Sequence, residues 1–141
     1  MIVLDTNVVS ELTRDRPAPD VSAWLLRQPD AVLYTTSVTV AESFYGLELM
    51  PAGRRRERLT EITRNVLEVE FRGRVLPFDE AAARHYAPIL AARRKKGAPM
   101  SAFDAQIAAI ALANGASLAT RNVMDFEGCG VNLIDPWKAK H

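Results

Sequence analysis

Four acidic residues, Asp5, Glu42, Asp104 and Asp125, each stand where an apolar run or a loop leads into a segment with helical spacing. In a parallel α/β protein such junctions gather at the carboxyl edge of the sheet, where ligands bind. Carboxylates brought together there repel one another, and a hard divalent cation with oxygen ligands offsets that repulsion. The chemistry is that of a metal site built from acids alone. His85 reads as a helix-surface group, His141 as a frayed end, and Cys129 between two glycines as a loop residue.

Each acid also has a plainer reading. Asp5 follows Ile2-Val3-Leu4 and can serve as a turn or N-cap residue, with Asn7 helping. Glu42 lies three residues after Thr39, and Asp104 three after Ser101, which is capping-box spacing in both cases. Asp125 alone reads as a loop aspartate. The set is more specific than its members, because four acids from four separate elements converge on one edge. Glu57, Glu61, Glu68 and Glu70 instead lie among arginines and read as a solvated helix face. Asp79 reads as a cap, and Asp135 before Pro136 as a turn.

The elements that would position the acids follow from local pattern. Residues 2–4 form an apolar run without alternation, the mark of a central parallel strand buried on both faces. A short helix runs to Leu12, and Asp20 caps a second one carrying Val21, Trp24 and Leu25. Residues 32–36, β-branched and aromatic, predict a second strand, followed by a helix over 39–50. Residues 54–69 predict a helix with Leu59, Ile62, Val66 and Val69 on one face. Residues 75–78 predict a third strand, placed at an edge or a strand end by Pro77. Asp79 caps a long helix to Lys96, and Ser101 opens an Ala-rich helix to Asn114 with Gly115 after its end. Residues 118–120 and 131–134 predict the last two strands. Strands alternating with helices imply an α/β fold with a parallel sheet covered on both faces.

With 141 residues, one domain spanning 1–141 is the expectation. A formal net charge of +1 with 25% charged residues excludes a disordered acidic chain and a strongly basic nucleic-acid coat. A polyanion would have to be met by local clusters or by a metal. The single cysteine cannot form an intramolecular disulfide. The start of the chain shows no leader pattern, and residues 107–119 are too short and interrupted to span a bilayer, so no membrane association is expected. A cytoplasmic protein is the simplest expectation.

Several segments together resemble a known family. They are Met1-Ile2-Val3-Leu4-Asp5-Thr6-Asn7, Ser37-Val38-Thr39-Val40-Ala41-Glu42, Phe103-Asp104-Ala105-Gln106-Ile107-Ala108-Ala109 and Ala119-Thr120-Arg121-Asn122-Val123-Met124-Asp125-Phe126. In order and spacing they are similar to PIN-domain ribonucleases, specifically VapC-type toxins of type II toxin–antitoxin pairs. Leu76-Pro77-Phe78-Asp79 and Asp135-Pro136-Trp137 fit the FitB-like subgroup. The resemblance covers essentially the whole chain. It implies a three-layer sandwich with a five-stranded parallel sheet, one or two Mg²⁺ or Mn²⁺ ions, and endonucleolytic cleavage of RNA. It also implies a cognate antitoxin as partner and a homodimer. By position, Asp5, Glu42 and Asp104 fall on the three core acidic positions. At the fourth, Asn122 is neutral where some relatives carry Asp, which makes Asp125 the better candidate.

Phosphodiester hydrolysis needs an activated water, a stabilised phosphorus centre and a stabilised leaving oxygen, which divalent ions can supply. On this reading Asp5 and Asp104 are principal ligands. Glu42 is a ligand or a general base, and Asp125 an outer or second-site ligand. Asn7 and Thr120 orient the carboxylates, and Arg121 meets a substrate phosphate. Arg54, Arg55, Arg56 and Arg58 read as an exposed charged face, or as phosphate contacts. Arg93, Arg94, Lys95 and Lys96 suit the negative end of a helix dipole. The alternatives are a catalytically weak PIN-fold partner of a DNA-binding antitoxin and a metal-dependent DNA nuclease. An aspartyl phosphatase is disfavoured, because the position two residues after Asp5 is Asn7.

Overall fold

The computed structural model describes residues 1–139, so the expectation of a frayed end at His141 lies outside the described residues. Five parallel strands stand in the order β3-β2-β1-β4-β5. They are β1 Ile2–Leu4, β2 Leu33–Thr36, β3 Val75–Leu76, β4 Ser117–Ala119 and β5 Leu133–Ile134. β1 is central, as its unbroken apolar run predicts, and it pairs Val3 with Tyr34 on one side and Leu118 on the other. β3 is an edge strand followed at once by Pro77, where a missing N–H costs no ladder bond.

Alternate side chains of β1 enter two cores. Val3 joins Leu118 and the buried face of α6 (Ala102–Ala113), which α5 (Glu80–Lys95) covers on its far side. Leu4 joins Val8, Val9, Val21, Trp24 and Leu67 on the opposite face of the sheet. There α1 (Thr6–Leu12), α2 (Pro19–Leu26) and the segment after α4 (Arg54–Arg64) form the second helical layer. The three-layer α/β sandwich expected from the sequence is the observed fold. In α6 the run from Ile107 to Ala111 is buried all round, which small alanines make possible. Among the described residues no helix is long and apolar enough to cross a membrane.

Several boundaries differ from the sequence reading, each for a physical reason. Asp20 lies in the first turn of α2, whose N-cap is Ala18 with Pro19 at the first helical position. α3 spans Ser37–Glu48, two residues earlier than expected, because Thr36 at the end of β2 caps it through the Thr39 N–H at 3.1 Å. The helix predicted over 54–69 is α-helical only to Arg64 and continues as a π turn, Asn65–Glu70. The wider turn rotates the apolar face, so Leu67 and Phe71 are buried while Val69 is exposed. Asp125, which taken alone reads as a loop aspartate, lies inside the short helix α7, Val123–Phe126. Asp79 and Ser101 cap α5 and α6 as expected, accepting from Ala82 N–H at 2.9 Å and Asp104 N–H at 3.1 Å. Gly115 follows α6 at φ 63°, a left-handed conformation that glycine adopts without strain.

Candidate metal centre

The chain builds outward from β1 to β2 and β3, then returns to the other side of β1 for β4 and β5. That reversal falls between β1 and β4, and the carboxyl ends of strands at such a point are the usual ligand position in these sheets. Asp5 leaves β1 there, its N–H bonded to Ala119 O at 2.9 Å. Thr120 leaves β4 directly opposite.

Asp5 is both a cap and a buried acid. Its Oδ1 accepts from the Thr6 N–H at 2.8 Å, starting α1. Its Oδ2 accepts from Thr120 Oγ1 at 2.7 Å and from Asn7 Nδ2 at 3.4 Å. Only 5% of the residue is exposed. Burial pushes its carboxyl up to about 6, with the negative charges of Asp104 and Glu42 adding to the rise. The bonds from Thr120 and Thr6 pull the other way.

Glu42 lies in the second turn of α3, not at the N3 position that its spacing from Thr39 predicted. Thr39 itself occupies N3. The Glu42 carboxylate is held instead by the Thr6 hydroxyl, Oγ1 to Oε1 at 2.9 Å, and Thr6 Oγ1 also lies 3.1 Å from Thr39 Oγ1. Sequence reasoning gave Thr6 no role. The only signal for it was its place directly after Asp5, at the first position of a helix.

Asp104 does occupy the third position of α6, half-buried, with Ser101 capping its N–H. Burial raises its carboxyl above the usual range, the Ser101 hydroxyl lowers it, the Asp125 charge raises it and the Arg93 guanidinium lowers it. Asp125 lies exposed on α7, within electrostatic reach of Asp104. The four acids are thus linked by their charges: Glu42 and Asp104 act on Asp5, and Asp125 acts on Asp104.

The neighbours predicted to orient the acids form one chain of hydrogen bonds. Asn7 Nδ2 lies 3.5 Å from Thr120 Oγ1, and Asn7 Oδ1 accepts from the Arg121 N–H at 3.3 Å. Asn122 gives only its backbone N–H, to Thr120 Oγ1 at 3.0 Å, and its side chain makes no cap for α7. The Arg121 guanidinium is exposed and stands 5.0 Å over the Trp137 ring. Of the basic clusters, Arg56 and Arg58 pair with Glu48 and Asp15, on the exposed face the sequence predicted. Arg93 lies in the last turn of α5, where the dipole favours a cation, and is buried.

The donor set fits a divalent cation. Its side-chain donors are oxygens, and its central carboxylate is buried among like charges that a cation would neutralise. Among the described residues no group of three or more His, Cys, Asp or Glu side chains is placed to hold a metal ion as it stands. Mg²⁺ does not require an all-protein cage, since it keeps several waters and takes one or two carboxylates.

The parallel sheet in this order is an α/β fold that many families share, and the match to the PIN domain model over residues 2–127 shows that the chain belongs to the PIN family. Among its relatives, the chain is 45% identical to VapC ribonuclease Y4jK of Sinorhizobium fredii over 142 residues, covering 98% of this chain and 99% of the relative. It is 37% identical to Toxin FitB of Neisseria gonorrhoeae over 137 residues, covering 97% and 99%. A solved structure of FitAB bound to an IR36 DNA fragment contains a chain similar at TM-score 0.92 and 37% identity, covering 100% of this chain and 99% of that one.

Proposed function

We propose that this chain, as one PIN domain, is the toxin of a toxin–antitoxin pair and a Mg²⁺- or Mn²⁺-dependent endoribonuclease acting through Asp5, Glu42, Asp104 and Asp125. The observation that carries the reading is the buried Asp5 carboxylate, held among other acids at the break in strand order. The likeness to a VapC ribonuclease and to Toxin FitB over nearly the full length of each supports the activity.

Asp5 and Asp104 would hold the cation, with Glu42 and Asp125 completing the set. When bound, the ion supplies Lewis-acid stabilisation of the charge that builds on the phosphate oxygens. Thr120 and Asn7 fix the Asp5 carboxylate, so it loses little freedom on binding. Thr6 holds one oxygen of Glu42 and so orients the carboxylate, either as a metal ligand or as a base toward an attacking water. Arg121, braced on Trp137, presents a cation to the substrate phosphate at the mouth of the site. The antitoxin partner is supported by the FitAB assembly, whose FitB-like chain shares this fold. A homodimer working in the cytoplasm completes the proposal.

The test is cleavage of an RNA oligonucleotide and of its DNA counterpart by the purified chain. RNA cleavage should vanish in EDTA and return with Mg²⁺ or Mn²⁺, with the DNA left intact. Full activity in the chelator would overturn the metal assignment, and preferential DNA cleavage would replace the substrate.

A further inference from the structure

We propose that Arg93 is a positioning residue for the acidic cluster: its buried guanidinium holds the turn that carries Asp125 and sets it against Asp104. The sequence groups Arg93 with Arg94, Lys95 and Lys96 at the end of α5, but the structure separates them. The other three are exposed, whereas Arg93 is 7% exposed.

Its Nη1 donates to two backbone carbonyls, Met124 O at 3.3 Å and Glu127 O at 2.7 Å. These two carbonyls bracket Asp125. A four-residue helix is too short to persist by itself, and its final carbonyls have no partners within it. A cation at that end supplies hydrogen bonds and opposes the helix dipole. Phe126, 1% exposed, pins the same turn into the core, and Cys129 Sγ donates to its carbonyl at 2.7 Å. The backbone on both sides of Asp125 is thereby fixed while its carboxylate stays in solvent. The Arg93 Nε has no partner among the described residues, a desolvation cost the fold accepts for this placement.

The inference rests on the proposed place of Asp125 in the site. It is tested by Mn²⁺ binding, read from the EPR signal of the free ion, with RNA cleavage alongside. The proteins compared are the full chain, Arg93→Lys, Arg93→Met, Asp125→Ala, Asp104→Asn and the Arg93→Met/Asp125→Ala double variant. Arg93→Met should weaken Mn²⁺ binding by about tenfold or more, as loss of an outer supporting group does. Arg93→Lys, which keeps the charge and a donor, should restore most of it. In the Asp125→Ala background Arg93→Met should add less than about a twofold loss, because its effect passes through the missing carboxylate. An equal loss in both backgrounds, or unchanged binding in Arg93→Met, would mean that Arg93 serves only the fold. Should Arg93→Met not fold, Arg93→Gln takes its place. Loss of binding in Asp104→Asn with none in Asp125→Ala keeps the metal site and overturns this inference. Unchanged binding in both overturns the metal site as well.

Discussion

Thr120 Oγ1 donates to Asp5 Oδ2 at 2.7 Å, joining the ends of β4 and β1 across the point where the strand order reverses. The same Thr120 oxygen accepts the Asn122 N–H at 3.0 Å. A single buried hydroxyl therefore fixes the central carboxylate and the start of the segment that leads to Asp125.

Replacing Thr120 by valine keeps the shape and removes both bonds. Asp5 loses a donor that favours its charged form, and the Asn122 amide loses its acceptor, at a cost of roughly 1–3 kcal/mol for such a group. Mn²⁺ affinity should fall about tenfold, and Thr120→Ser should behave nearly as the native chain. Calorimetric titration and thermal melting read the two effects separately. A valine variant with native affinity would show that the hydroxyl does not orient Asp5.

The raised carboxyl of Asp5 gives the metal-free protein an unusual pH dependence. Between the ordinary value of 3.8 and about 6, folded Asp5 binds more proton than unfolded Asp5. Stability must then fall as pH rises through that window, by roughly 2–3 kcal/mol at most. In EDTA the melting temperature should rise on acidification from about pH 7 to about pH 5. With saturating Mn²⁺ the trend should reverse, because the cation requires the ionised form. Asp5→Asn should flatten both trends. Identical pH profiles for the native chain and Asp5→Asn would remove Asp5 as the coupled group.

Cap and ligand can be separated at the start of α6. Ser101 supplies the cap, so Ser101→Ala should cost about 1 kcal/mol of stability and leave most of the cleavage activity. Asp104→Asn leaves that cap in place and removes a charge from the site. Its activity should drop by orders of magnitude, and its metal-free stability should hold or rise as repulsion is relieved. Preserved cleavage in Asp104→Asn, with a loss of stability, would make Asp104 a capping residue only.

Asn122 and Asp125 compete for the fourth position. Asn122 contributes a backbone amide, which Asn122→Ala retains, whereas Asp125→Ala removes a charge that acts on Asp104. Cleavage should therefore suffer far more from Asp125→Ala. The opposite ranking in a single-turnover assay would move the fourth role to Asn122.

What the sequence alone determined is the part governed by near neighbours along the chain. The unbroken Ile2-Val3-Leu4 run marks a strand buried on two faces, and β1 is central. Asp79 and Ser101 cap the helices they precede, since a cap bonds within three residues of itself. Asp5 was legible as a junction acid because it directly follows β1 and caps α1, whereas Glu42 stands a turn inside α3 and Asp104 follows a helix, not a strand. What only the tertiary structure decided depends on partners distant in sequence. Thr36, not Thr39, opens α3 because β2 pairs with β3 as far as Thr36 and Leu76, and no local spacing contains that register. Thr6 reaches Glu42 across 36 positions, and Thr120 reaches Asp5 across 115. Arg93 stands in a run of four cations that reads as suiting the helix dipole, and its burial goes with α7 placing two open carbonyls beside it. A helix end shows its own dipole in the sequence, but which backbone comes to meet it is set by the packing of the whole chain.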